Sequence, residues 1–289
     1  MQYFPLNSGD RIPALGLGTW KSAPGQVADA VQEAIAAGYR HIDCAPIYQN
    51  EPEVGRALAE VMSTGAITRQ DLWITSKLWN DAHAPERVEP ALRQTLADLQ
   101  LDYLDLFLIH WPVAFAAGVL FAQKAEEYIP LERLPIIDTW KALEACQAKG
   151  LARNIGVCNF SVPKLQALCA QATLPPAMNQ IELHPYLQQN EMLAFCRDHN
   201  ILLTAYSPLG SGDRPAAMKK KEEPTLLDNP VIGNIAAKHA ITPAQVLLAW
   251  GLSRGTVVIP KSTNPERIRQ NLAAADLRLD DRDLADLAV

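Results

Sequence analysis

The chain has 289 residues, 48% hydrophobic and 20% charged, with a net charge of −6. That length suits one large domain or two small ones, with enough apolar content for a sizeable core. The acidic balance excludes nucleic acid or an anionic membrane as a main partner, and no apolar run is long enough to span a bilayer. Five cysteines, with no Cys-x-x-Cys among them, read as reduced and mostly structural thiols of a cytoplasmic protein. The opening Met1 to Asn7 lacks the basic region and apolar run of a secretion signal.

Asn7-Ser8-Gly9-Asp10 lies between short apolar flanks and predicts an N-terminal β-hairpin over residues 2–13. Strand and helix signals then alternate to the end. Helical spacing appears in Val27, Val31, Ala34 and Ile35, stopped by Gly38, and again in Val88, Leu92, Leu96 and Leu99. Asn50, Asp138 and Ser161 read as N-caps, the last two opening helices that carry Trp140, Leu143 and Cys146, and Leu165, Leu168 and Cys169. Apolar strands are expected at Leu15 to Gly18, Tyr39 to Ile42, Trp73 to Ser76 and Asp105 to Ile109. Further ones are expected at Arg153 to Val157, Ala177 to Ile181, Ile201 to Ala205 and Thr256 to Ile259. Roughly eight buried parallel strands alternating with helices predict an α/β fold, a (β/α)8 TIM barrel, and residues 1–289 read as a single domain.

Ionisable residues cluster where such strands end. Asp43 closes one strand and Tyr48 follows on its loop, Lys77 ends the next, and His110 ends the one after. Together Asp43, Tyr48, Lys77 and His110 make a coherent acid–base group, placed where α/β proteins put their chemistry. Near the end of the chain, Lys261 and Ser262 close the last strand, and Asn264-Pro265-Glu266-Arg267 opens a helix with a capping Asn and an early Pro. A helix N-terminus flanked by Lys261 and Arg267 is a ready anion site. Gly16-Leu17-Gly18 begins like a Rossmann fingerprint but lacks its last glycine and leads into no immediate helix. His41, His83, His184, His199 and His239 show no metal spacing, and no metal is expected.

These stretches resemble the aldo-keto reductases. The resemblance is carried by Gly16-Leu17-Gly18-Thr19-Trp20, the Asp43 to Tyr48 stretch, Ile74-Thr75-Ser76-Lys77 and Ile109-His110-Trp111-Pro112. It continues through Asn179-Gln180-Ile181-Glu182, Ala205-Tyr206-Ser207-Pro208-Leu209-Gly210 and Ile259-Pro260-Lys261-Ser262, in the family's order over nearly the whole chain. It implies a monomeric, NADPH-dependent reductase of aldehydes and some ketones, with the hairpin closing the bottom of the barrel. In that scheme Tyr48 gives the proton, Lys77 lowers the phenol's pKa from about 10, Asp43 holds Lys77, and His110 orients the carbonyl. The rival reading is a non-catalytic NADPH-binding sensor or structural protein of the same fold. The intact set of four argues against it, and the presence of His110 argues against steroid double-bond reduction.

By the same resemblance, Gly18, Thr19, Trp20 and Asp43 line one side of the NADP(H) site. Tyr206 stacks on the nicotinamide, and Asn159 and Gln180 hydrogen-bond its carboxamide. Cys158 stands where Ser is usual, so it is either a weakened carboxamide contact or a small buried thiol. Ser207, Pro208, Leu209 and Ser211 begin a loop, Ser207 to about Pro230, that folds over the pyrophosphate; its Lys219 to Lys221 read as a solvated tip. Lys261 and Arg267 grip the 2′-phosphate, with Ser262, Thr263 and Asn264 also among the cofactor contacts, while Gln270, where many relatives carry Glu, and Asn271 face the adenine. Trp20, Ile47, Trp79, Trp111 and Phe115 wall the substrate space with Tyr48 and His110 at its floor, and the loop from Pro112 to Pro135 lies on the substrate side. Asp280 to Val289 reads as the start of a helix with Leu284 and Leu287 inward. Relatives continue from there into a loop over the pocket, so the expectation is a substrate site open on that side.

Overall fold

The computed structural model describes residues 2–212, 214 and 224–288, so the Lys219 to Lys221 tip lies outside the described residues. The chain opens with β1 (Tyr3–Pro5) and β2 (Arg11–Pro13), paired antiparallel with Tyr3 opposite Pro13. The central sheet follows as β3 (Leu17–Gly18), β4 (His41–Asp43), β5 (Trp73–Leu78) and β6 (Leu104–Ile109). Between β6 and the next sheet strand a short antiparallel pair forms, β7 (Ala114–Phe115) with β8 (Tyr128–Ile129). The sheet resumes with β9 (Ala152–Cys158), β10 (Met178–Glu182), β11 (Leu202–Tyr206) and β12 (Val257–Val258). All eight sheet strands run parallel in chain order. The first and last meet, because Gly16 N donates to Val258 O (2.9 Å) and Gly18 N to Pro260 O (3.0 Å). The result is a curled eight-stranded α/β sheet, consistent with a (β/α)8 barrel.

Helices cover the outside: α1 (Val27–Ala37), α2 (Glu51–Ser63), α3 (Pro85–Leu99), α4 (Ile136–Ala148), α5 (Val162–Cys169) and α6 (Asn190–Asp198). After β11 come α7 (Pro230–His239) and α8 (Pro243–Ser253), then α9 (Pro265–Ala273) and α10 (Asp281–Asp286). The apolar periodicity of α1 is its buried face, and Gly38 ends it at φ 115°, a left-handed geometry that a side chain disfavours. Every residue of β5 and β6 is buried, as expected for parallel strands covered on both faces. A second apolar group joins Leu6 and Ile12 to Leu106, Leu108, Met178, Val257 and Ile259, so the N-terminal pair packs against the sheet's inner side.

Three capping expectations change in detail. Asn50 and Ser161 hold the N-cap positions of α2 and α5 without a side-chain cap bond. Asp138 lies inside the first turn of α4, which starts after Pro135. The Asn50 amide instead donates to Thr19 O (2.9 Å), and Ser161 leaves the end to backbone bonding. Asn264 does cap α9, accepting from Arg267 N (3.0 Å).

Helices α2 and α3 touch at Gly55, where an added Cβ would lie 2.3 Å from Asp98 O. Gly55→Ala gains helix propensity of up to about 1 kcal/mol. The clash is with backbone that cannot rotate away, and overpacking of this kind typically loses about 1–3 kcal/mol. The steric effect wins, so the variant should unfold at lower urea concentration with an unchanged m-value. A midpoint at or above wild type would show that the two helices can part without loss.

Candidate active site

The four acid–base residues converge at the C-terminal end of the strands. Asp43 is the last residue of β4, Lys77 lies in β5 paired alongside it, and His110 directly follows β6. Tyr48 sits on a single 3-10 turn (Pro46–Tyr48), ended by Gln49 in a left-handed conformation. The Lys77 ammonium donates to Asp43 Oδ1 (2.5 Å), Cys44 O (2.9 Å) and the Tyr48 hydroxyl (3.3 Å). Asp43 is completed by Gln180 Nε2, which donates to its Oδ2 (2.8 Å), while the Thr19 hydroxyl donates to the Asp43 carbonyl (2.8 Å). A buried carboxylate holding a buried ammonium with the remaining lone pairs satisfied is the arrangement in which such a pair is stable.

Electrostatics sorts the roles. Burial alone would lower the Lys77 pKa, but the charge of Asp43 and its hydrogen bond raise it above the ordinary lysine value, so the residue is a fixed cation. At Tyr48 the Lys77 ammonium acts in the expected direction, lowering the phenol's pKa, but it works against burial. Burial pushes the phenol above its ordinary value, and the Lys77 ammonium opposes that shift without overcoming it. His110 is pushed well below its ordinary value by burial, with Lys77 and His83 adding, so its imidazole is neutral. Its ring packs edge-on to Tyr48 (5.9 Å between centroids) and Trp79 (5.0 Å), and its Nδ1 is buried without a partner.

Around this group lie most of the expected cofactor residues. Asn159, at φ 63°, donates through Nδ2 to His110 O (2.9 Å) and accepts from the Tyr206 hydroxyl (2.9 Å). The Gln180 amide group is committed to Asp43, a contact that sequence reasoning missed. Cys158 is buried among the inner apolar group, and burial pushes its thiol well above the ordinary value, against the pull of Lys77. Ser207 and Ser211 both take left-handed backbone after β11, and Lys21 Nζ donates to Ser211 Oγ (3.3 Å). Pro208 and Leu209 lie between them, with Leu209 packed on the core.

Gly18 connects the two halves of the site, paired with Asp43 on one side and bridged to Lys261 on the other. Past that bridge the Ser262 hydroxyl accepts from Asn264 N (3.1 Å), next to Thr263. Among the described residues, no hydrogen bond or ion pair to the protein satisfies the Lys261 ammonium or the Arg267 guanidinium at the start of α9. Gln270 is turned to Glu266 (3.1 Å), and Asn271 is buried.

The apolar wall is less unified than expected. Trp79 meets Phe115 (6.3 Å) and Phe121 (6.1 Å), and its indole N–H donates to Leu120 O (2.9 Å), fixing the segment beside β7. Trp20 and Trp111 stand at the rim, 37% and 40% exposed, with Lys21 Nζ 4.2 Å from the Trp20 ring. A cavity of about 490 Å³ shares Ile47 and Trp79 but runs outward along α3 to Arg87 and Asp98, and neither Tyr48 nor His110 lines it. His239, read as structural or surface, comes within reach of Asp283 (2.7 Å), and the same carboxylate also takes Lys238 (2.8 Å).

Comparison with known proteins places the chain in a family. The model of the aldo/keto reductase family matches residues 14–288. An aldo/keto reductase of Synechocystis sp. is 56% identical over 289 residues, covering 100% of this chain and 88% of the relative. Aldo-keto reductase family 1 member A1 of Mus musculus is 49% identical over 284 residues, 98% of this chain and 87% of the relative. The solved structure of the aldose reductase from Schistosoma japonicum superposes with a TM-score of 0.91 at 38% identity, covering 100% of this chain and 91% of that one. No helix among the described residues is long and apolar enough to cross a membrane. With family model, relatives and fold in agreement, the chain belongs to the aldo/keto reductase family.

Proposed function

We propose that this chain is an NADPH-dependent reductase of small aldehydes and some ketones, working as a monomeric, cytoplasmic single-domain (β/α)8 barrel over residues 1–289. The observation that carries the reading is the Lys77 ammonium, gripped by Asp43 and Cys44 O and placed 3.3 Å from the Tyr48 hydroxyl. Carbonyl reduction needs a hydride on carbon and a proton on oxygen. A nicotinamide cofactor held by residues such as Asn159, Tyr206, Lys261 and Arg267 would supply the hydride.

The protein does the rest. Because burial keeps the Tyr48 phenol protonated, the donor is loaded at neutral pH. As its proton passes to the carbonyl oxygen, the charge left on the phenol oxygen faces the Lys77 ammonium, so stabilisation grows along the reaction rather than before it. Asp43 holds that ammonium in place, and Gln180 holds Asp43. Neutral His110 can offer a ring N–H to the same carbonyl oxygen. Trp20, Ile47, Trp79, Trp111 and Phe115 supply apolar surface that excludes water. Asn159 and Tyr206 stand ready for the carboxamide and ring of the nicotinamide, and Ser207 to Ser211 for its pyrophosphate.

Lys261 and Arg267 suit a 2′-phosphate because, among the described residues, no acid pairs with either cation, and they flank a helix start capped by Asn264. Arg267→Ala should therefore weaken NADPH by about 1.5–3 kcal/mol, the range for a hydrogen bond to a charged group, and leave NADH nearly unchanged. Fluorescence titration of both cofactors measures this, and equal losses would count against a 2′-phosphate site. The activity itself is tested by a panel of aldehydes with NADPH, followed by absorbance loss. NADPH binding without turnover on any member would favour the binding-only reading instead.

A further inference from the structure

We propose that Glu51 is a positioning residue for Tyr48: its carboxyl pins the first turn of α2 to the strand that carries Lys77 and so sets the contact between phenol and ammonium. This rests on the reading of Tyr48 as proton donor. Glu51 begins α2 three residues after Tyr48, and it is 1% exposed. An acid at a helix start normally faces solvent and gains from the helix dipole. Here both carboxyl oxygens turn inward. Ser76 Oγ donates to Oε1 (2.5 Å) and Thr95 Oγ1 to Oε2 (3.2 Å).

Ser76 is the residue before Lys77, and neighbours in a strand point to opposite faces. One peptide unit thus sends Lys77 towards Asp43 and Tyr48, and Ser76 towards Glu51. The Tyr48 turn is held at both ends. Before it, Cys44 N bonds Thr75 O (2.8 Å) and Cys44 O accepts from Lys77 (2.9 Å). After it, Asn50 bonds Thr19 O and Glu51 bonds Ser76. Loss of the Glu51 tie leaves the far end of the turn held through Asn50 and the helix packing at Gly55.

Ser76 from β5 and Thr95 from α3 face Glu51, and the titratable groups whose charge it feels are Lys77 across β5, Asp98 on α3 and Cys44 after β4. Neither hydroxyl partner supplies a charge, and no cation among the described residues forms an ion pair with the carboxyl. Burial pushes its pKa up to about 7, the two hydroxyl bonds oppose this, Asp98 adds to it and Lys77 opposes it. Below that pH the carboxyl is neutral. Above it, a carboxylate behind β5 disfavours negative charge on Tyr48, so turnover should step down as pH rises through about 7.

The test is kcat against pH, with KM for aldehyde and Kd for NADPH, in the wild type, Glu51→Gln, Glu51→Ala and Ser76→Ala. Glu51→Ala should lower kcat by about 10²-fold, the scale of a misplaced catalytic group, with NADPH Kd unchanged. Glu51→Gln keeps two hydrogen-bonding atoms and no charge, so it should restore most of kcat and erase the step near neutral pH. Ser76→Ala should fall between them, and it carries the geometric test with Glu51→Gln if the alanine variant does not fold. Wild-type kcat in Glu51→Ala or Ser76→Ala, or an unchanged step in Glu51→Gln, overturns the proposal. Tyr48→Phe run alongside separates the two ideas. If it is inactive while Glu51→Ala is fully active, only the positioning role fails; if it is active, the donor assignment fails and this role with it.

Discussion

Replacing Tyr48 by Phe is expected to leave NADPH binding intact while aldehyde reduction falls by roughly 10²–10⁴-fold, the usual contribution of a general acid. The substitution removes one oxygen and almost no volume. The ring keeps its edge contact with His110, and Lys77 keeps its two strongest partners, Asp43 and Cys44 O. What disappears is the hydroxyl that touches the Lys77 ammonium, and with it the group whose developing charge that ammonium stabilises. Water entering the site could still protonate the carbonyl oxygen, but without a positioned donor. Cofactor affinity by fluorescence and turnover by absorbance are both needed, because a collapse of the pocket would lower the two together. Turnover near wild type with intact affinity would show that another group is the donor.

Much of this site was legible in the sequence because its parts are local. Asp43, Lys77 and His110 each lie at or beside the end of a strand, and eight apolar strands with helices between them bring strand ends to one side of a sheet. Asn264 and Pro265 announce a helix start in the same local way. The contacts that could not be read are those between distant segments. Gln180 lies 137 residues from the Asp43 it serves, and nothing in Asn179-Gln180-Ile181 says which acid it will meet. Glu51 reads as an ordinary acid at a helix start, since its burial depends on how α2 and α3 close on β5. The antiparallel pair inside the loop after His110 was missed because its strands are two residues each, too short to show alternation. At Tyr48 the sequence shows the neighbouring Lys77 charge but not the burial that opposes its effect on the phenol.

Asp43→Asn should be the most damaging change to stability in the site. The Lys77 and Asp43 side chains are 0% and 2% exposed, so the substitution leaves a buried ammonium with only neutral oxygens around it, and one of the two donors that Asp43 satisfied, Lys77 or Gln180, must face an amide N–H instead. Removing one member of such a pair typically destabilises by about 3–5 kcal/mol, because the remaining charge is uncompensated. The pH dependence should also change sign. In the wild type the Lys77 pKa is raised, so its contribution is fully present below the unfolded lysine value of about 10.4 and is lost only as pH rises through the higher folded value. In Asp43→Asn, burial acts without the carboxylate and the folded pKa drops below the unfolded one. The unfolded chain then binds the extra proton, and stability should rise with pH up to about 10.4. Adding Lys77→Met removes the stranded charge and puts a similar volume in its place, so the double variant should recover most of the lost stability. It should stay inactive, since Tyr48 then has no cation to face. Urea unfolding of the two single variants and the double, at neutral and alkaline pH, measures the coupling directly. Additive losses in the double variant, or a single substitution within about 1 kcal/mol of wild type, the value of an exposed pair, would mean that this ion pair is not held as a buried unit.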